Sequence, residues 1–244
     1  MRISKSWTLT MKEFAVYRRK KYIVYSLVAV PLLLSLILPL SILLPTSSKD
    51  IPSSVLGPLL KNEVTIFIIL AALLPAVMAS YSMIGEKIEK SLEPLLATPA
   101  TDGELLLGKS LAAFIPSIGA TYAGACLYIA AVDILASGRL GYVPLPDWNS
   151  AAVLLLAAPF ACLFSVEFSI IISSRVNDIR SAQQLGALVI LPLLAIFLLG
   201  QTGVLSPNGY DMLIVSGILL VADVLLSFAL RATFQREEIL TKWK

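Results

Sequence analysis

The sequence pattern with the most direct chemical reading is Gly103-Glu-Leu-Leu-Leu-Gly-Lys-Ser110, which satisfies G-x-x-x-x-G-K-S. In a working phosphate loop a buried strand comes first. The loop's backbone N–H groups then turn inward onto phosphate oxygens, and the lysine reaches the terminal phosphates. Here the residues before Gly103 are Thr98-Pro-Ala-Thr-Asp102, a turn and a cap. Thr101 followed three places later by Glu104 is a capping box, which starts a helix. Glu104 to Leu107 are good helix formers. A helical backbone spends its N–H groups on its own carbonyls, and the Glu104 carboxylate repels a nucleotide. The pattern therefore predicts the first turns of a membrane helix, with Lys109 as an interface anchor, and no nucleotide site.

Other chemistry is thinly represented. The chain has no histidine, which removes imidazole metal ligands, Ser-His-Asp triads and histidine bases together. Cys126 and Cys162 fall in separate apolar runs and read as small thiols in lipid-facing or packed helices, so no metal site is expected. No cluster of Ser, Lys and Asp converges at one depth, and the chain is not expected to be an enzyme. Three carboxylates remain: Glu167, Asp223 and Asp133. Glu167 and Asp223 lie inside apolar runs, and Asp133 lies near the end of another. An ionised carboxylate in hydrocarbon is costly, so each is expected to face protein, water or a partner, or to be protonated. They are candidates for an intramembrane polar pathway. A bond between helices that fixes the fold is the competing role.

The elements that must position these groups follow from composition. Of 244 residues, 57% are apolar and 14% charged, and the mean hydropathy is +0.85. Soluble domains carry about 25% charged residues. The excess apolar surface needs a bilayer. A crossing helix takes about 20 residues, and six segments reach that length, near 22–45, 64–84, 106–135, 151–173, 183–204 and 211–231. No alternating barrel pattern is present. The expected fold is all-α and polytopic, one domain over 1–244. Sixteen Lys and Arg fall on the side that holds both ends, and only Lys49, Lys61 and Arg139 on the other. By the positive-inside rule both termini, the 85–105 segment and the 174–182 loop are expected to be cytoplasmic. The tail over 231–244 lies on the same side. The stretches near 46–63, 136–150 and 205–210 read as compact outer caps.

Two segments outside the spans are patterned. In 1–21, Ile3, Trp7, Met11 and Phe14 share one helical face, with Lys5, Lys12 and Arg19 off it. That is an amphipathic helix at the membrane interface. In 85–105, Ile84, Ile88, Leu92, Leu95 and Leu96 share a face, and Glu86, Lys87, Glu89, Lys90 and Glu93 take the remaining surface. The second span is expected to continue as an amphipathic helix until Pro94 breaks it. Thr98-Pro99 ends the next piece.

These residues resemble a family. Gly85-Glu-Lys-Ile-Glu-Lys-Ser-Leu-Glu-Pro-Leu-Leu-Ala-Thr-Pro99, followed by Glu104-Leu-Leu-Leu-Gly-Lys-Ser-Leu111, is similar to the signature of ABC-2-type transporter permeases. Ser173 to Leu185, the basic N-terminal helix and the six-span layout resemble that family too. Members often have Gly-Thr where this chain has Lys90-Ser91. The resemblance implies a type V exporter fold and the membrane subunit of an ATP-binding-cassette exporter. It implies a second permease copy or paralogue, and MgATP bound on a separate ATPase rather than on this chain. It implies that Glu86, Glu89, Leu92, Glu93, Pro94, Leu95, Leu96 and Pro99 form the ATPase-coupling segment between spans two and three. The competing function is a secondary cation transporter or channel that uses Glu167 and Asp223.

Overall fold

The computed structural model describes residues 3–46, 52–88, 101–176, 178–201 and 209–233. Within them every regular element is helical, as expected where lipid offers backbone groups no partner. Helix α1 (Ile3–Arg19) is separated by Lys20 alone from α2 (Lys21–Thr46). Helix α3 (Ser53–Asn62) runs through a 3-10 turn, Glu63–Thr65, into α4 (Ile66–Ile88). Then come α5 (Asp102–Leu140), α6 (Trp148–Ala152), a π turn (Val153–Ala157), α7 (Ala158–Arg175), α8 (Ile179–Ala187), α9 (Ile190–Gln201) and α10 (Gly209–Thr233).

Six helical stretches are long and apolar enough to cross a membrane: Lys21–Ile42, Ser54–Glu86, Asp102–Leu140, Trp148–Arg175, Ile179–Leu199 and Tyr210–Ala232. They match the six expected segments, with two corrections. The region near 46–63, read as a loop-like cap, contains helix α3. Its Leu56 and Leu60 are buried, and the Leu60 carbonyl accepts the Tyr128 hydroxyl at 2.8 Å. Span three is also longer than expected. Its capping box at Thr101 is present with both reciprocal bonds, and Gly141 at φ 72° closes the other end by donating to the Ser137 carbonyl, a left-handed cap that glycine adopts without strain. The π turn in the fourth crossing sits just before Pro159, which has no N–H to give the preceding turn.

Helix α4 is the hub. It packs most extensively on α7 and also contacts α5, α8 and α9, while α2 and α1 pack on α5 and α10 packs on α7. Small residues make the central contact close. Ala71, Ala72 and Ala79 of α4 and Ala158, Ala161 and Cys162 of α7 are all buried. The Ser165 hydroxyl donates across the interface to the Ala72 carbonyl at 2.6 Å. Of the small residues expected to pack along span three, Gly124 does so. A Cβ there would lie 2.8 Å from Pro31 Cβ on α2, whereas one at Gly119 would meet nothing within 4 Å. The outward faces are apolar, with Leu33 and Ile37 on α2 and Ile214, Ile218 and Leu225 on α10 exposed.

Candidate functional site

The stretch Gly103–Ser110 lies wholly inside α5. Its backbone is helical, so it forms no phosphate cradle. Lys109 is not a surface anchor either. It is 2% exposed and sits at the centre of a charge cluster that joins α1, α4 and α5. Its ammonium donates to Glu13 Oε1 at 3.2 Å, and to the Ser82 carbonyl at 2.9 Å and hydroxyl at 3.2 Å. Glu86 Oε2 approaches it at 2.7 Å. The other Glu86 oxygen accepts from Lys12 at 3.0 Å. Two lysines thus balance two glutamates. Lys12 keeps 44% of its side chain exposed, while the other three are nearly enclosed.

Each helix brings its member for a local reason. Along α1, Ser6, Thr10, Glu13 and Tyr17 recur at helical spacing and are all buried. The Thr10 hydroxyl donates to the Gly108 carbonyl at 3.0 Å, and the Tyr17 hydroxyl to the Met78 carbonyl at 3.4 Å. Gly108 permits this approach, because a Cβ there would fall 2.8 Å from Leu9 Cβ and 3.0 Å from the Ser6 carbonyl. Burial pushes the Glu13 carboxyl above its ordinary range. The Lys109 ammonium pulls it back, and the neighbouring Glu86 pushes it up again. Burial also raises the Tyr17 phenol well above its usual value and keeps it neutral. Breaking such a buried pair by removing one partner costs about 3–5 kcal/mol.

This arrangement departs from the sequence expectation at Glu86, expected on the polar surface and buried at 7%. On α1, Trp7 and Met11 point outward at 47% and 46% exposure, while a polar stripe that the sequence reading does not single out packs inward. The signal available in the sequence was that polar stripe at the same spacing, together with a lone lysine behind Gly108. Glu89, Leu92, Glu93, Pro94, Leu95, Leu96 and Pro99 lie outside the described residues. So does the chain from 234 onward, the greater part of the expected tail. Glu86, at the end of α4, and Thr101, at the start of α5, flank that segment.

The intramembrane carboxylates fall into two groups. Glu167 on α7 and Asp223 on α10 are both buried, on helices that pack together. Glu167 Oε2 and both Asp223 oxygens make no hydrogen bond. Asp133 is elsewhere on α5, and its Oδ1 accepts the Leu145 N–H at 3.4 Å, so it ties the following loop to the helix. At that same end Lys61 pairs with Asp147 at 3.4 Å.

Comparison with protein families gives a match over most of the chain. The family described as ABC-2 family transporter protein covers residues 7–206. The chain belongs to the ABC-2 transporter family. None of the curated proteins matches it. The family match spans α1, the buried cluster, the segment after Glu86 and the first five crossings. ABC-2 permeases are membrane components that are not themselves catalytic, and in general they work with ATPase subunits. This chain is accordingly a multi-pass membrane protein of that family.

Proposed function

We propose that this chain is the permease subunit of an ATP-driven exporter, with ATP bound and hydrolysed as MgATP on a separate subunit and none bound here. The observation that carries the reading is the ABC-2 family match over residues 7–206. The helical state of Gly103–Ser110 supports it, because from Glu104 onward the pattern's N–H groups are bonded to the Thr101 cap or within the helix rather than turned together onto a phosphate. Two permease chains, identical or paralogous, would form the path. Both termini would face the cytoplasm, in keeping with the lysine and arginine distribution. Glu86 to Pro99 would receive the motion of the ATPase. The Lys109 cluster supports that role: Glu86 is held at the root of the segment, so a push on the segment would reach α1, α4 and α5 together. The test is co-purification with the candidate ATPase and vanadate-sensitive ATP hydrolysis with and without this chain. A stable ATPase partner whose activity responds to the chain is expected. If no ATPase co-purifies or responds, the proposal fails.

A second reading rests on the unpaired oxygens of Glu167 and Asp223, which suit a cation path across the α7–α10 interface. It predicts gradient-driven cation flux in liposomes from this chain alone, lost in Asp223→Asn. Flux absent without ATP, or unchanged in that variant, would sink it.

A further inference from the structure

At the lysine- and arginine-rich end, α1, the first turns of α2, α4 and α5 enclose a cleft of about 300 Å³. Its walls include Ile23, Leu27, Met78, Ile115 and Pro116, and among its lining residues only Arg18 is charged. Ile115 at the rim is 38% exposed, and Tyr25 and Val28 on the neighbouring surface of α2 are 66% and 58% exposed. These apolar residues belong to crossing helices, so the medium beside the cleft is bilayer. We infer that the cleft is a binding site for an anionic phospholipid, with an acyl chain between α2 and α5 and the headgroup phosphate at Arg18.

The charges at the mouth argue for an anionic headgroup. Arg18 is followed by Arg19 and, at the start of α2, by Lys21. All three are exposed, and none has an acidic partner among the described residues. The nearest carboxylate on α1 is Glu13, already held by Lys109 on the buried face. Lys20 sits 5.2 Å over the Tyr81 ring and is not counted. The Tyr17 hydroxyl is spent on the Met78 carbonyl, which leaves the cleft interior apolar. A guanidinium matches a phosphate with a fork of N–H donors, and basic pockets between membrane helices suit anionic headgroups.

Native mass spectrometry of the purified chain tests the site, with phosphatidylglycerol or phosphatidylcholine of identical chains added in detergent. One saturable phosphatidylglycerol is expected, held at least about fivefold more tightly than phosphatidylcholine, the effect of one basic residue at a membrane surface. Arg18→Gln should remove about that factor for phosphatidylglycerol only. Arg18→Lys should restore most of it. Ile115→Trp, which fills the cleft, should abolish saturable binding of both lipids. Because Arg18 is exposed, its variants test the site even where Ile115→Trp fails to fold. Equal retention of the two lipids, or no change in Arg18→Gln, would overturn the proposal. So would saturable binding that survives Ile115→Trp, displacement of the lipid by excess inorganic phosphate, or a dimer rather than a lipid lost on filling the cleft.

Discussion

Replacing Lys109 with Met removes the one ammonium that Glu13 and Glu86 share inside the protein. Both carboxylates then remain buried beside each other, and the Ser82 carbonyl loses its donor. Loss of one member of a buried ion pair costs about 3–5 kcal/mol. For a chain of this size 1 kcal/mol shifts the unfolding midpoint by about 2–4 °C, so a fall on the order of 10 °C is expected. The measurement is thermal unfolding of the purified protein followed by intrinsic fluorescence. Glu13→Gln alone should also lower the midpoint. The double variant Glu13→Gln/Lys109→Met should lose clearly less than the sum of the two, because the second change removes a charge that the first left stranded. The neutral triple variant, with Glu86→Gln added, should recover further, since a matched apolar or neutral set often replaces a buried ion group at little cost. Lys12→Met is the control. Its pair with Glu86 is half in solvent and is worth about 0–1 kcal/mol. A Lys109→Met protein that melts within about 2 °C of wild type, less than 1 kcal/mol on the same scale, would refute the reasoning. Additive effects of Glu13 and Lys109 would refute it equally.

Gly108→Ala should destabilise the protein by about 1–3 kcal/mol through overpacking, because its Cβ meets Leu9 and the Ser6 carbonyl; Gly119→Ala, in the helix interior with open space around it, should not lower the melting midpoint. Ser165→Ala deletes the bond to the Ala72 carbonyl and should cost about 0.6–2 kcal/mol in an unfolding titration, the range for bonds between membrane helices. The Asp178 carboxyl, which accepts the Ser181 N–H at the start of α8, is held below its usual value of 3.8 by that bond. A lowered value means its contribution is present above the unfolded pKa and is lost as pH falls through the folded one; melting from about pH 5 to about pH 3 should show that decline in wild type and a shallower one in Asp178→Asn. Replacing Leu95 and Leu96 with Ala should abolish transport while the chain still reaches the membrane, and wild-type transport in that variant would remove the segment from the coupling role.

Much of this protein was legible from sequence because a bilayer imposes simple rules. The six crossings follow from length and apolarity, and the capping box at Thr101 and Glu104 predicted the start of α5 from local chemistry alone. That box also decided the fate of the apparent phosphate loop, since helix formation consumes the N–H groups the loop would need. The family signature lay in the polar stretch between spans two and three. What sequence left open was which polar residues meet. Glu13 and Lys109 are separated by 96 positions, and only the packing of α1 onto α5 brings them into contact. The α1 stripe shows the physical reason most clearly. Periodicity locates an apolar face and a polar one, and does not say which meets the rest of the protein. In the fold Trp7 and Met11 turn out, while Thr10, Glu13 and Tyr17 find their partners inside. Periodicity in the chain thus determined that α1 has two faces. The tertiary structure decided which one is buried, because only the packed helices supplied Lys109, the Gly108 carbonyl and the Met78 carbonyl as partners for the polar one.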